Sequence, residues 1–180
     1  MAEHKKIIIE NVVASTNIDK QLPLDKLLTV LEASEYEPEQ FPGLVYRLKE
    51  PRAASLIFRS GKIICVGARS VPEVKKAIME IVKKIKKAGV RVDEKKLKIK
   101  IENIVVTVNL EKELNLDELA FSLEASEYEP EQFPGLVYRL FEPKVAFLLF
   151  SSGRIVCAGA KSFGDVKRAI SILERKLRSI

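Results

Sequence analysis

The chain has 180 residues, 47% apolar and 31% charged, and its 31 Lys and Arg against 25 Asp and Glu leave it at +6. That length serves one domain or two small fused ones, no apolar run approaches the ~20 residues of a membrane span, and the opening residues Met1 to Lys6 lack the apolar core of a signal peptide, so a cytoplasmic protein with no membrane partner is expected. Two cysteines and one histidine, His4, supply neither a disulfide framework, a metal site nor His-based catalysis; no catalytic residue, metal or cofactor is expected, while the positive charge permits a polyanionic partner.

Residues 6–16 open on Ile7-Ile8-Ile9 and read as a strand. Leu24, Leu27, Leu28 and Leu31 recur at i, i+3, i+4 and i+7, the stripe of a one-sided helix, with Pro23 at its first turn. Three short strands follow over 44–48, 53–58 and 62–67, punctuated by Pro42-Gly43, Glu50-Pro51 and Ser60-Gly61, and there is room for a further short strand before the Pro38 to Pro42 turn. Cys65 lies in an apolar run and is expected to be a small buried hydrophobe. Ser70-Val71-Pro72-Glu73 has the form of a capping box. It leads into the helical stripe Val74, Ala77, Ile78, Ile81, Val82 and Ile85, with 83-KKIKK-87 lending a solvated face and Gly89 a stop.

After a link over 90–98 the pattern begins again. The segment 31-LEASEYEPEQFPGLVYRL-48 recurs unchanged over 123–140, and the same offset of 92 pairs Asn11 with Asn103 and Cys65 with Cys157. The chain is therefore expected to be two pseudo-twofold β-α-β-β-β-β-α repeats, residues 1–91 and 92–180, of an α+β fold. Short connections make the sheet antiparallel, and two helices per copy cover only one of its faces.

An antiparallel sheet with one wet face should alternate apolar and polar residues. These strands do not. Ile63 and Cys65 point one way and Ile64 and Val66 the other; Ala54, Leu56 and Phe58 share one face; Val13 and Ser15 lie on the side of Asn11. The uncovered face is thus apolar, which marks a binding surface, unless a second copy or a covering domain hides it. Arg47 shares a strand face with Val45, Arg139 repeats it, and Lys62 and Arg69, matched by Arg154 and Lys161, flank the apolar strand. An apolar strip edged by cations suits the minor groove of A·T-rich DNA, with an uncharged floor and phosphate rims, and Asn11 and Asn103 could reach its A N3 and T O2 acceptors. Of eight phenylalanines, only Phe41 with Phe133 and Phe58 with Phe150 keep their identity at the offset. Phe121, Phe141, Phe147 and Phe163 stand against Thr29, Lys49, Ser55 and Val71, the drift expected of core residues. Phe41, in a turn, is expected to contact something, and apolar wedges entering base steps are a minor-groove device.

The duplicated YEPEQFPGLVYRL with Glu-Pro after it, 56-LIF-58 and 148-LLF-150, the Ser-Gly-Lys/Arg turn and Gly-Ala-Arg/Lys-Ser closely resemble archaeal TATA-box-binding proteins over roughly Lys6 to Leu177. The resemblance implies one curved antiparallel sheet, a saddle with its helices on the convex face. It implies a general transcription initiation factor that binds the TATA box in the minor groove and bends the DNA. Phe41 with Phe58 and Phe133 with Phe150 match the wedges. Asn11, Asn103, Val13, Val105, Leu56, Leu148, Ile64, Val156, Val66 and Ala158 match the base-contacting floor. Arg47, Arg139, Lys62, Arg154, Arg69 and Lys161 match phosphate contacts, and Glu129, Glu131 and Gln132 match the loop that receives transcription factor B. Promoter DNA, transcription factor B and the RNA polymerase assembly are the partners implied, with nucleoid association in an archaeal cell and a homodimer through the apolar face when DNA is absent. Family members often carry threonine where Val66 and Ala158 stand, so hydroxyl contacts to bases are not expected there. Glu39-Gln40 stand where eukaryotic members have basic residues, so phosphate contacts are not expected from that loop.

Two other classes fit parts of the pattern. A binding module using the apolar face for protein or lipid would show no A·T preference and little salt dependence. An accessory domain of a nucleic-acid enzyme would not be expected to stand as two full repeats without a catalytic constellation.

Overall fold

The computed structural model describes residues 5–180, so His4 lies outside the described residues. The strands and helices run β1 (Ile7–Asn17), α1 (Leu24–Val30), β2 (Leu44–Lys49), β3 (Arg52–Ile57), β4 (Lys62–Ala68), α2 (Val71–Lys87), β5 (Lys100–Asn109), α3 (Leu116–Ser122), β6 (Ser126–Glu127), β7 (Leu136–Phe141), β8 (Lys144–Leu149), β9 (Arg154–Ala160) and α4 (Phe163–Arg178). They form two compact units, one of Asn11–Glu102 and one joining residues 5–10 to Asn103–Ile180. Each unit thus contains the start of the other copy's first strand. Glu102 accepts from the Ser15 hydroxyl at 2.7 Å in the first unit, and Glu10 from the Thr107 hydroxyl at 2.8 Å in the second.

In the first unit the hydrogen-bonded order is β2-β3-β4-β1, antiparallel throughout. The second runs β5-β9-β8-β7-β6. The extra short strand allowed by the sequence is β6; its first-copy counterpart is a single bridge from Glu35 to Val45. Helix α2 buries the expected stripe and packs on β4 and β3, and α4 packs on β9 through Val166, Ala169, Ile170, Leu173 and Leu177. Facing them are Leu44, Tyr46, Ile57, Ile63 and Cys65 in one unit and Leu136, Tyr138, Leu149, Ile155 and Cys157 in the other. Burial pushes the two thiols up, Cys65 to about 11 and Cys157 to about 12. Where the first copy has buried Ser55, whose hydroxyl donates to the Tyr46 carbonyl at 2.9 Å, the second has Phe147 stacked on Tyr138 at 6.2 Å.

Several local expectations need correction. Pro23 takes the N-cap position of α1 and not its first turn, and Leu28 is exposed while Leu24, Leu27 and Leu31 are buried. The Ser70 hydroxyl accepts from the Glu73 N–H at 3.2 Å as in a capping box, but the Glu73 carboxylate accepts from the Arg69 N–H, one residue upstream of the reciprocal bond expected. The phenylalanines that differ between copies are not core residues as a class. Phe147 is fully buried, whereas Phe121 is 95% and Phe141 79% exposed and Phe163 also reaches solvent. At Phe121 and Phe141 the drift reflects freedom at the surface.

Candidate nucleic-acid interface

The strands leave one sheet face of each unit uncovered. Pairing aligns Ser15, Ile64, Leu56 and Val45 in one row and Val66, Ala54 and Arg47 in the next. In the second unit the rows are Thr107, Val156, Leu148, Val137 and then Ala158, Ala146, Arg139. Strand neighbours alternate between fully buried residues beneath the helices and half-buried ones on this face: Ile63 and Cys65 against Ile64 and Val66, Ile155 and Cys157 against Val156 and Ala158. Of this set Ser15 and Thr107 are nearly buried, their hydroxyls committed to Glu102 and Glu10. The strip is therefore apolar with no hydroxyl donor directed outward from these rows.

Asn11 lies where the β1–β4 register slips between Val12 and Ala14. The slip needs Gly67 at φ +94°, a left-handed conformation that glycine adopts without steric cost. Asn11 Oδ1 accepts from the Gly67 N–H at 2.7 Å, and Asn103 Oδ1 from the Gly159 N–H at 2.7 Å. Those bonds orient both amides. With Oδ1 occupied, Nδ2 is a donor with no partner among the described residues.

At the end of the strip away from the asparagine, Phe41 and Phe58 meet edge to face with ring centroids 5.9 Å apart, and Phe133 and Phe150 at 6.0 Å. Phe41 is 39% and Phe133 40% exposed, so the turn phenylalanines do not fold into the core. Each pair closes over a glycine. A Cβ on Gly43 would lie 2.7 Å from Phe41 Cε1 and 3.1 Å from Phe58 Cε1, with the same distances at Gly135 for Phe133 and Phe150. The Phe41 N–H donates to the Glu37 carbonyl and that of Phe133 to the Glu129 carbonyl, at 2.9 and 3.0 Å, so each acidic turn also positions a ring.

Arg47 and Arg139 are exposed beside the strip, held at 3.5 and 3.2 Å by Glu35 and Glu127. Exposed pairs of this kind are worth ~0–1 kcal/mol and exchange readily for a phosphate. Lys62 and Arg154 start β4 and β9 on the face of Ile64 and Val156, and Arg69 and Lys161 follow the strands' far ends, all exposed. Val13 and Val105 are half-buried beside Asn11 and Asn103. Glu129, Glu131 and Gln132 are exposed in the turn before β7, apart from the strip. In the sequence, Gly43 and Gly135 stand as turn residues after proline. Their identical placement two residues after a retained phenylalanine was the available signal of a seat for rings. The hydroxyl–carboxylate pairs join positions about 90 residues apart and carried no sequence signal.

The chain matches the family described as transcription factor TFIID (or TATA-binding protein, TBP) over residues 6–88 and again over 98–180. It is 52% identical to a TATA-box-binding protein of Picrophilus torridus over 182 aligned positions, covering 100% of this chain and 98% of that one. A TATA-box-binding protein of Methanocaldococcus jannaschii is 54% identical over 165 positions, 92% of this chain and 90% of that one. Among solved structures, the Methanococcus jannaschii TBP is similar at 51% identity with a TM-score of 0.90, covering 97% of this chain and 99% of that one.

Proposed function

This chain belongs to the TATA-binding protein family, and from that premise we propose that it is a transcription initiation factor that binds the TATA box through its two uncovered sheet faces, entering the minor groove and bending the duplex. The observation that carries the reading is the apolar strip, present in each unit, with an outward amide at one end, a ring pair at the other and cations beside it. An A·T minor groove offers acceptors and no exocyclic amino donor. Val13, Leu56, Ile64 and Val66, with Val105, Leu148, Val156 and Ala158, supply a floor that contacts it without competing for hydrogen bonds. Asn11 and Asn103 Nδ2 donate to A N3 or T O2. A guanine amino group against the apolar floor would lose its water and gain no acceptor.

Phe41 with Phe58 and Phe133 with Phe150 then wedge into base steps, as TATA-box-binding proteins do. Edge-to-face packing keeps each pair together before DNA arrives, so less side-chain freedom is lost on binding. Arg47, Arg139, Lys62, Arg154, Arg69 and Lys161 neutralise phosphates. The protein supplies a shaped surface and no chemistry; it acts on the chromosome and hands the bent site to transcription factor B, through Glu129, Glu131 and Gln132, and so to RNA polymerase. Because 34–48 and 126–140 are identical in sequence, these loops do not tell the ends of a site apart, and orientation depends on the factor and on DNA beside the site.

The test is a gel shift on a TATA duplex and a G·C duplex across a salt series. Preference for TATA, with affinity falling steeply as salt rises, supports the reading. Equal affinity for both duplexes, or binding indifferent to salt, favours a protein- or lipid-binding face instead.

A further inference from the structure

The helical side of the second unit carries a feature that the DNA reading leaves unused. Lys167, Arg168, Ser171, Ile172 and Arg175 line one shallow depression on α4. Their spacing of i, i+1, i+4, i+5 and i+8 gathers them on one outward stripe, opposite the residues that α4 buries against the sheet.

The first copy provides an internal comparison. At the same offset α2 has Lys75, Lys76, Met79, Glu80 and Lys83. There Glu80 pairs with Lys83 at 3.4 Å, so the helix supplies its own counter-charge. In the second copy Ile172, half-buried, replaces the acid, and Arg175 has no partner among the described residues. Arg168 is held at one side by Glu142 and Asp165, at 3.3 and 3.4 Å. Lys167 lies over the partly exposed Phe163 ring at 5.2 Å.

We propose that this stripe docks an acidic protein segment that carries an apolar residue between its carboxylates. The Arg175 guanidinium offers a planar fork matched to a carboxylate, Lys167 a second charge, and Ile172 an apolar floor between them. A nucleic-acid duplex suits the stripe poorly. Its charge recurs every ~1.7 Å of axis and would meet Glu142 and Asp165, while Ile172 would face phosphate.

The test uses the full chain, free and bound to a TATA duplex, titrated with the fluorescein-labelled peptide Glu-Asp-Glu-Leu-Asp-Glu and with the same peptide carrying Ser for Leu. Ile172→Glu installs the acid that the first copy accommodates at the matching position, and Arg175→Ala removes the fork. The Leu peptide is expected to bind in both states, about fivefold tighter than the Ser peptide. Each substitution should weaken it roughly tenfold while TATA affinity is unchanged. Equal binding of the two peptides, undiminished binding by Ile172→Glu, or a G·C duplex that displaces the peptide and itself weakens with these substitutions, overturns the proposal.

Discussion

The seat beneath each ring pair gives a sharp test of why the phenylalanines are paired. Gly43→Ala adds one methyl at a residue whose φ is not in the left-handed region, so the backbone accepts it. The added Cβ would stand 2.7 Å from Phe41 and 3.1 Å from Phe58, where carbon atoms prefer ~3.5–4.0 Å. About 1 Å must therefore be recovered by moving a ring. Phe41 is 39% exposed and free on its solvent side, so it swings outward. The cost in stability should then sit at the low end of overpacking, about 1 kcal/mol. The cost in binding should be larger, because the displaced ring no longer enters its base step with its partner. A loss of about 10- to 100-fold in TATA affinity is expected, at ~1.4 kcal/mol per factor of ten, with Gly135→Ala behaving alike. Urea unfolding reports the first quantity and fluorescence anisotropy on a TATA duplex the second. Parent-like affinity in both variants would refute the idea that ring placement matters.

Three further outcomes are expected. Asn11→Asp keeps an acceptor for the Gly67 N–H but removes the outward donor and adds charge at the groove floor; unfolding should be little changed while TATA binding collapses, and binding that survives would remove the amide from the recognition scheme. Arg47→Ala and Arg139→Ala should each shallow the slope of log affinity against log salt by roughly one unit for every TATA variant alike, with little effect on folding because each breaks only an exposed pair; a changed base preference would contradict a phosphate role. Burial raises the Cys65 and Cys157 thiols from an ordinary 9.0 to about 11 and about 12. Stability is therefore at full strength below about pH 9 and declines as pH rises through those values, since the unfolded chain loses the protons first. Replacing both thiols by alanine should abolish that part of the alkaline decline, and an unchanged decline relative to neutral pH would show that it arises elsewhere.

Much of this architecture is legible in the sequence. An exact internal repeat announced two copies, and strands apolar on both sides announced a face that the helices leave open. What escaped were features set by geometry between distant residues. The Ser15–Glu102 and Thr107–Glu10 bonds exist because each unit contains the start of the other copy's first strand. Retention of Phe41 and Phe58 in both copies located the ring pairs, yet the converse inference failed. Phe121 and Phe141 differ from their counterparts because solvent tolerates either residue, and only Phe147 among the differing four is fully buried. Pro23 takes the N-cap of α1, and local sequence does not separate that position from the first turn.

On the proposed function, the uncovered faces of both units bend A·T-rich DNA through their ring pairs. The end-to-end distance of a TATA duplex labelled with a fluorescent donor and acceptor at its two ends reports that bend. The parent chain should shorten that distance on a TATA duplex and leave a G·C duplex straight. Phe58→Ala and Phe150→Ala should each lose most of the shortening at protein concentrations that saturate the DNA, with the far-ultraviolet circular dichroism of the fold retained. Shortening as large in both variants as in the parent would contradict the account.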